Sequence, residues 1–150
     1  TSAGLRRRRD APAMIVLDTN VISELMKPAP DAYVLAWLTQ FESGILATTS
    51  ITVTEIEFGL QRLPDGRRKT DLYSHFETFL EALNIVPLDE AAARLAGRFW
   101  ALRQTSGFSA QPPDMMIAGI AAAVGATLAT RNIKDFEHLP LPLVDPWRGH

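Results

Sequence analysis

Four acidic residues of this sequence follow short apolar runs or open an apolar helix, the positions where clustered carboxylates do chemistry. Asp18 directly follows the run Met14-Ile15-Val16-Leu17, and Glu55 lies in the first turn of the segment after Ile45-Leu46-Ala47-Thr48. Asp114 comes straight after Pro112-Pro113, and Asp135 lies five residues beyond Thr130, the end of Thr127-Leu128-Ala129-Thr130. Carboxylates brought together repel one another and partly protonate unless a cation joins them. Hard oxygen ligands select Mg²⁺, with Mn²⁺ expected to substitute, and Mg²⁺ keeps several waters while using few carboxylates. Such an ion polarises a phosphoryl oxygen and lowers the pKa of bound water. The reaction class that follows is phosphodiester hydrolysis.

Each acid also has a plain structural reading. Asp18 and Asn20 are favoured helix-capping types. Thr52-Val53-Thr54-Glu55 fits a capping box, in which Glu55 bonds back to the helix start. Asp114 reads equally as a first-turn acid beside the helix dipole, and Asp135 as a solvated loop residue next to Lys134. Glu57, two residues from Glu55, points to another side of the same helix.

The elements that must position these acids alternate in type. Residues 14–17 are a short apolar run of the kind a fully buried strand shows, followed by a helix at 21–26 that Pro28 and Pro30 stop. A helix is expected at 31–41, a strand at 45–48, and helices at 52–63 and 67–83, the second after the turn Pro64-Asp65-Gly66. Residues 85–88 read as a strand and 89–104 as a helix. The prolines at 112 and 113 suit the first turn of a helix through 123. Strands at 127–130 and 143–144 complete the chain. Early strands apolar on both faces, alternating with helices, predict an α/β fold: one parallel sheet of about five strands with helices on both faces. In such sheets the ligand site lies beyond the carboxyl ends of the strands, where the helices begin.

Composition sets the outer limits. With 150 residues and 47% hydrophobic content the chain makes one ordinary domain. No cysteine is present, which excludes a thiolate zinc site and a cysteine nucleophile and fits a reducing cytoplasm, the expected location. No apolar stretch approaches the ~20 residues of a membrane span, so no membrane association is expected. His75, His138 and His150 show no metal-ligand spacing. Residues 1–13 carry four arginines and one aspartate, and read as a disordered or expression-derived Arg-rich extension, with the domain proper at 14–150. The net charge of −2 therefore conceals a domain of −5, and nucleic acid must be held by local basic clusters or by metal ions. Arg131 and Lys134 flank the acidic positions, and Arg131, beside Thr130, is the better phosphate-binding candidate; Arg67-Arg68-Lys69 reads first as a solvated face. Glu90 and Arg94 form an i,i+4 pair. Trp37, Phe41, Phe76, Phe79, Phe99 and Trp100 fall at helical positions, as core or interface residues.

The chain resembles the PIN-domain ribonucleases, most closely the VapC-type toxins of bacterial toxin–antitoxin pairs. The matching segments are Ile15-Val16-Leu17-Asp18-Thr19-Asn20-Val21-Ile22-Ser23-Glu24 and Ser50-Ile51-Thr52-Val53-Thr54-Glu55-Ile56-Glu57-Phe58-Gly59. Pro113-Asp114-Met115-Met116-Ile117-Ala118 and Ala129-Thr130-Arg131-Asn132-Ile133-Lys134-Asp135-Phe136 follow in order, with Asp145-Pro146-Trp147 near the end. The resemblance implies that Asp18 and Asp114 ligate the metal, with Glu55 joining directly or through water. Asp135 would be the fourth acid, a role for which Asn132 competes. Thr130 matches a family hydroxyl that points into the site. The resemblance further implies in-line attack of water on RNA leaving a 5′-phosphate and a 3′-hydroxyl, a cognate antitoxin as partner, and a homodimer.

Two other functions fit parts of the pattern. A haloacid-type hydrolase using Asp18 as nucleophile would want a second acid where Asn20 stands, and no phosphate-binding glycine loop occurs. A PIN-fold binding module without turnover is the non-enzymatic alternative, and retention of acids at all four motif positions argues against it.

Overall fold

The computed structural model describes residues 14–148. The extension expected at 1–13 and the terminal His150 lie outside the described residues. The chain order is β1 (Ile15–Leu17), α1 (Thr19–Leu25), α2 (Ala32–Leu38), β2 (Leu46–Thr49), α3 (Ser50–Gln61), α4 (Arg67–Ala82), β3 (Asn84–Val86), α5 (Glu90–Thr105), α6 (Pro112–Ala123), β4 (Thr127–Ala129) and β5 (Leu143–Val144). The five strands form one all-parallel sheet in the order β3-β2-β1-β4-β5, as the alternation of elements predicts.

The two-residue period of a strand explains why the early strands are apolar throughout. Ile15 and Leu17 join Leu46 and Ala129 in a core covered by α1 to α4. Val16 points the other way, with Ala47 and Leu128, into a core closed by α5 and α6. A residue such as Leu17, 1% exposed, contributes about 1.5–3 kcal/mol through burial. α5 and α6 press together at Gly119, where an added Cβ would stand 2.5 Å from the Ala92 carbonyl oxygen and 2.7 Å from the Ala96 nitrogen. That close approach seats α6, whose first turn carries Asp114.

The route of the chain makes the crevice. From β1 it steps outward to β2 and β3, then α5 and α6 carry it back across the other face to β4, on the far side of β1. Strand order reverses between β1 and β4, and at such a point the loops leaving the two strands diverge and leave a cleft. The backbone N–H of Asp18 still donates to Ala129 O across this junction, at 2.9 Å.

Several boundaries differ from expectation for local reasons. α1 starts at Thr19 rather than 21, because Asp18 caps it: Oδ1 accepts from Thr19 N at 2.8 Å. α3 starts at Ser50 rather than 52, because the Thr49 hydroxyl accepts from Thr52 N at 3.0 Å. The capping box read at Thr52 and Glu55 therefore does not form, and Glu55 is free to turn elsewhere. α2 ends at Leu38 instead of 41, and β3 runs over Asn84–Val86, stopping before Pro87, which has no N–H to continue a ladder. Trp37 and Phe76 are core residues, 3% and 1% exposed, with Phe41 edge-on to Trp37 and Phe79 packed against the same cluster. The aromatics that reach solvent are instead Tyr33, Phe58, Trp100 and Phe108.

Candidate active site

Asp18 anchors the cleft. It is 4% exposed, and both carboxylate oxygens are occupied: Oδ1 by Thr19 N, and Oδ2 by the Thr130 hydroxyl at 2.7 Å, with the Asn20 amide at 3.4 Å. Burial pushes its pKa above the usual carboxylate range, the bonds from Thr130 and Thr19 pull it back, and the charges of Glu55 and Asp135 push it up again. The helix cap uses one oxygen of Asp18 and the bond from Thr130 the other, so capping does not exclude a second role.

Thr130 is fully buried just past β4. Its hydroxyl donates to Asp18, while its oxygen accepts from Asn132 N at 3.1 Å and from Asn20 Nδ2 at 3.3 Å. Asn20 completes the tie, accepting from Arg131 N at 3.2 Å. Residues on α1 and in the loop after β4 are thereby held in one network across the β1–β4 junction. Asn132 is exposed and enters this network through its backbone N–H.

Glu55 enters from α3. Its Oε1 accepts from the Thr19 hydroxyl at 2.7 Å, and Thr19 Oγ1 lies 3.0 Å from Thr52 Oγ1. A hydroxyl has one proton, and Thr19 spends its own on Glu55, so Thr52 donates to Thr19. Thr49 in turn donates to Thr52 at 3.3 Å. Three threonines form a one-way chain ending on the carboxylate, and each link polarises the next. Sequence reasoning missed this chain. Its signal was Thr-x-x-Thr-x-x-Glu at 49–55, with donors recurring at helical spacing, which was read as a capping box.

Asp114 stands in the first turn of α6, half-buried. Its pKa is pushed up to about 7, first by burial, then by the charges of Asp18, Asp135 and Glu55, with Arg103 acting the other way. A helix N-terminus alone would lower a carboxyl pKa, so burial and then the neighbouring acids outweigh the dipole. Sequence reasoning also missed Arg103, 3% exposed in the last turn of α5. Its guanidinium donates to Ser109 O at 2.9 Å and to Glu137 O at 2.7 Å, tying the loop before Asp114 to the segment after Asp135. An arginine between Leu102 and Gln104, one of three along α5, gave no local cue to that role. Glu57 faces away from the cleft and pairs with the Tyr73 hydroxyl and Gln61.

The other three acids all act electrostatically on Asp114, yet among the described residues no three acidic, histidine or cysteine side chains close into a ready-made metal cage. The two facts are compatible for one class of ion. The donors around the cleft are carboxylate, hydroxyl and amide oxygens, which suit a hard divalent cation that brings its own waters and needs only one or two carboxylates. The residues therefore fit Mg²⁺ or Mn²⁺ and do not fit zinc, which prefers nitrogen or sulfur.

Comparison with known proteins agrees with this architecture. The PIN domain model matches residues 15–140. A VapC ribonuclease, Y4jK, of Sinorhizobium fredii is 42% identical over 89% of this chain and 98% of its own length. The crystal structure of FitAcB from Neisseria gonorrhoeae contains a chain 33% identical, with a TM-score of 0.83 over 89% of this chain and 99% of that one. A structure of FitAB bound to an IR36 DNA fragment matches at 32% identity and a TM-score of 0.83, over 89% and 96% of the respective chains. Fold, order of motifs and near full-length similarity to VapC and FitB proteins agree: this chain belongs to the PIN-domain family.

Proposed function

We propose that the chain is a divalent-metal-dependent endoribonuclease, the toxin of a toxin–antitoxin pair acting in the cytoplasm, with Mg²⁺ as its ion. The observation that carries this reading is that Thr19 bonds Asp18 through its N–H and Glu55 through its hydroxyl, joining acids 37 positions apart, while the charges of Asp18, Glu55 and Asp135 all act on Asp114. Asp18 and Asp114 would hold the ion, with Glu55 and Asp135 placed to contact it or its waters. When bound, Mg²⁺ supplies Lewis acidity toward a phosphoryl oxygen and a lowered pKa for water. The protein's own part is positioning. Thr130 fixes one oxygen of Asp18, the threonine chain fixes Glu55, and Arg103 ties the loop before Asp114 to the segment after Asp135. Asp135 rather than Asn132 is the fourth acid in this reading, because its charge raises both Asp18 and Asp114.

The names of the relatives support the substrate and the partner: a VapC ribonuclease for RNA, and the FitAB complex for an antitoxin bound to the toxin. A homodimer is part of the proposal. Among the described residues no helix is long and apolar enough to cross a membrane. Incubation of purified protein with single-stranded RNA and Mg²⁺ tests the activity. Cleavage abolished by EDTA and by Asp18→Asn is the expected result, and sequencing of the new 5′ ends identifies the target. Intact RNA in the presence of Mg²⁺ and Mn²⁺ refutes the reading. Toxicity on expression, relieved by a neighbouring gene product, is expected in cells, and light scattering that reports a monomer at high micromolar concentration refutes the dimer.

A further inference from the structure

We propose that the cleft beside the acid cluster is a phosphate subsite for single-stranded RNA, built by Arg131, Lys134 and Arg148. The proposal rests on the ribonuclease reading for its substrate but on separate residues for its evidence. The cleft has a volume of about 460 Å³ and runs along the loop after β4 to the chain's closing turn. Asp135 belongs both to its lining and to the acid cluster, so the cleft adjoins the cluster through that residue, and a strand of nucleic acid passing the acids can continue into it.

Arg131 is the prepared element. Its backbone N–H is held by Asn20, and its guanidinium lies over the Trp147 ring, 4.9 Å from the centroid. Contact with the ring restrains the guanidinium without using its N–H groups, which suit a bidentate contact with phosphate oxygens. Among the described residues neither Arg131 nor Lys134 makes an ion pair. Arg148 lies 3.6 Å from Asp145, a side chain that also accepts from Trp147 N, so the ring and the nearby cation share one support. Charge elsewhere makes this patch matter. The domain outside residues 1–13 has a net charge of −5, and Asp135, one of the four acids of the cluster, lines this cleft. Local cations are therefore what must hold the polyanion on the side of the site away from the metal. Glu137, exposed on the rim, is the one lining acid with neither a salt bridge nor a part in the acid cluster, and it opposes binding.

The test measures RNA binding directly. Full-length protein carrying Asp18→Asn is titrated, in Mg²⁺ and over a salt series, into a short labelled single-stranded oligoribonucleotide and followed by fluorescence anisotropy. Arg131→Gln and Lys134→Gln each weaken binding by about tenfold. Each also makes the dependence of log K on log salt shallower by about 0.7, the value for one lost phosphate contact on a single strand. Arg131→Lys keeps the slope but loses part of the affinity, since it retains the charge and not the fork. Glu137→Gln tightens binding, and Arg94→Gln, paired with Glu90 along α5, changes nothing. Unchanged slopes in Arg131→Gln and Lys134→Gln, or no measurable RNA binding, overturns the subsite. The two readings separate cleanly: altered slopes with no cleavage by the unsubstituted protein retain the subsite and sink the ribonuclease. Cleavage with unaltered slopes does the reverse.

Discussion

Asp114→Asn is expected to make the metal-free protein more stable while abolishing its activity. The carboxyl is raised from 3.8 to about 7 in the folded protein, so the folded state binds a proton more tightly than the unfolded chain. The proton-linked stability is fully present below about pH 3.8, is lost as pH rises through the folded value near 7, and is absent above it. Roughly three pKa units at 1.36 kcal/mol each set a ceiling of about 4 kcal/mol. Asp114 is only half-buried, and solvent screening reduces that to about 1–2 kcal/mol. Loss of a first-turn charge acts in the opposite sense by about 0.3–1 kcal/mol. The net is about 1 kcal/mol in favour of the amide at pH 8, or about 2–4 °C in Tm for a domain of this size. At pH 5 the electrostatic part falls to about a third, since only that share of the interval between the two pKa values has been crossed. Thermal melts of both proteins in EDTA at pH 5 and pH 8 measure the difference. Millimolar Mg²⁺ should then reverse the order, because binding to the folded state stabilises by mass action and only the unsubstituted site binds well. A variant that melts at or below the parent at pH 8 in EDTA, by the same margin at pH 5, refutes the electrostatic account and leaves Asp114 as a helix-start residue.

Three further outcomes follow from the same geometry. Thr52→Val removes the middle hydroxyl of the chain that reaches Glu55, at nearly constant volume; cleavage should fall by about tenfold, as the loss of about one hydrogen bond's free energy implies, and Thr52→Ser should restore it. Arg103→Met should lower RNA cleavage and also lower Tm, because two backbone carbonyls lose their donor, whereas Arg103→Lys restores only part of each. Gly119→Ala should destabilise by about 1–3 kcal/mol in denaturant melts, since the new methyl meets the α5 backbone rather than a side chain that can move away.

Much of the fold was legible because it depends on patterns that neighbouring residues set. The strands Ile15–Leu17 and Leu46–Thr49 lie at the centre of a parallel sheet, buried on both faces, and their sequences are correspondingly apolar or threonine-rich without alternation. Pro112 and Pro113 gave the start of α6 to the residue, because proline has a physical reason to occupy the first turn. Errors collected at helix starts with several capping candidates close together. At 49–55 three threonines and a glutamate offered two rival caps, and Thr49 won because Glu55 had a better partner in Thr19, 36 residues away in the chain. The aromatics of α2 and α4 stayed open between core and interface for a related reason: periodicity shows which side of a helix is apolar but not whether that side meets the sheet or a partner. Trp37 and Phe76 meet the core.

The site was legible in its acids and illegible in what holds them. Asp18 follows a strand and Asp114 opens a helix, while Glu55 and Asp135 lie within two turns or a short loop of the ends of β2 and β4, and the sheet's order brings those ends to one side. Residues that fix the carboxylates follow no such rule. Thr19, Thr130 and Arg103 act through contacts between segments 36, 112 and 34 positions apart, and threonine and arginine are common enough that nothing local marks them. Their importance follows from electrostatics. Four like charges around one cleft tend to separate, and in the absence of a cation the folded protein must resist that tendency with directional bonds. Thr130 and Thr19 do so by donating to carboxylate oxygens, and Arg103 by fixing the backbone on either side. The same bonds leave the cleft assembled before any ion arrives. If this cluster takes the proposed cation, the hydroxyls that hold Asp18 and Glu55 should set the affinity for metal as much as the acids do.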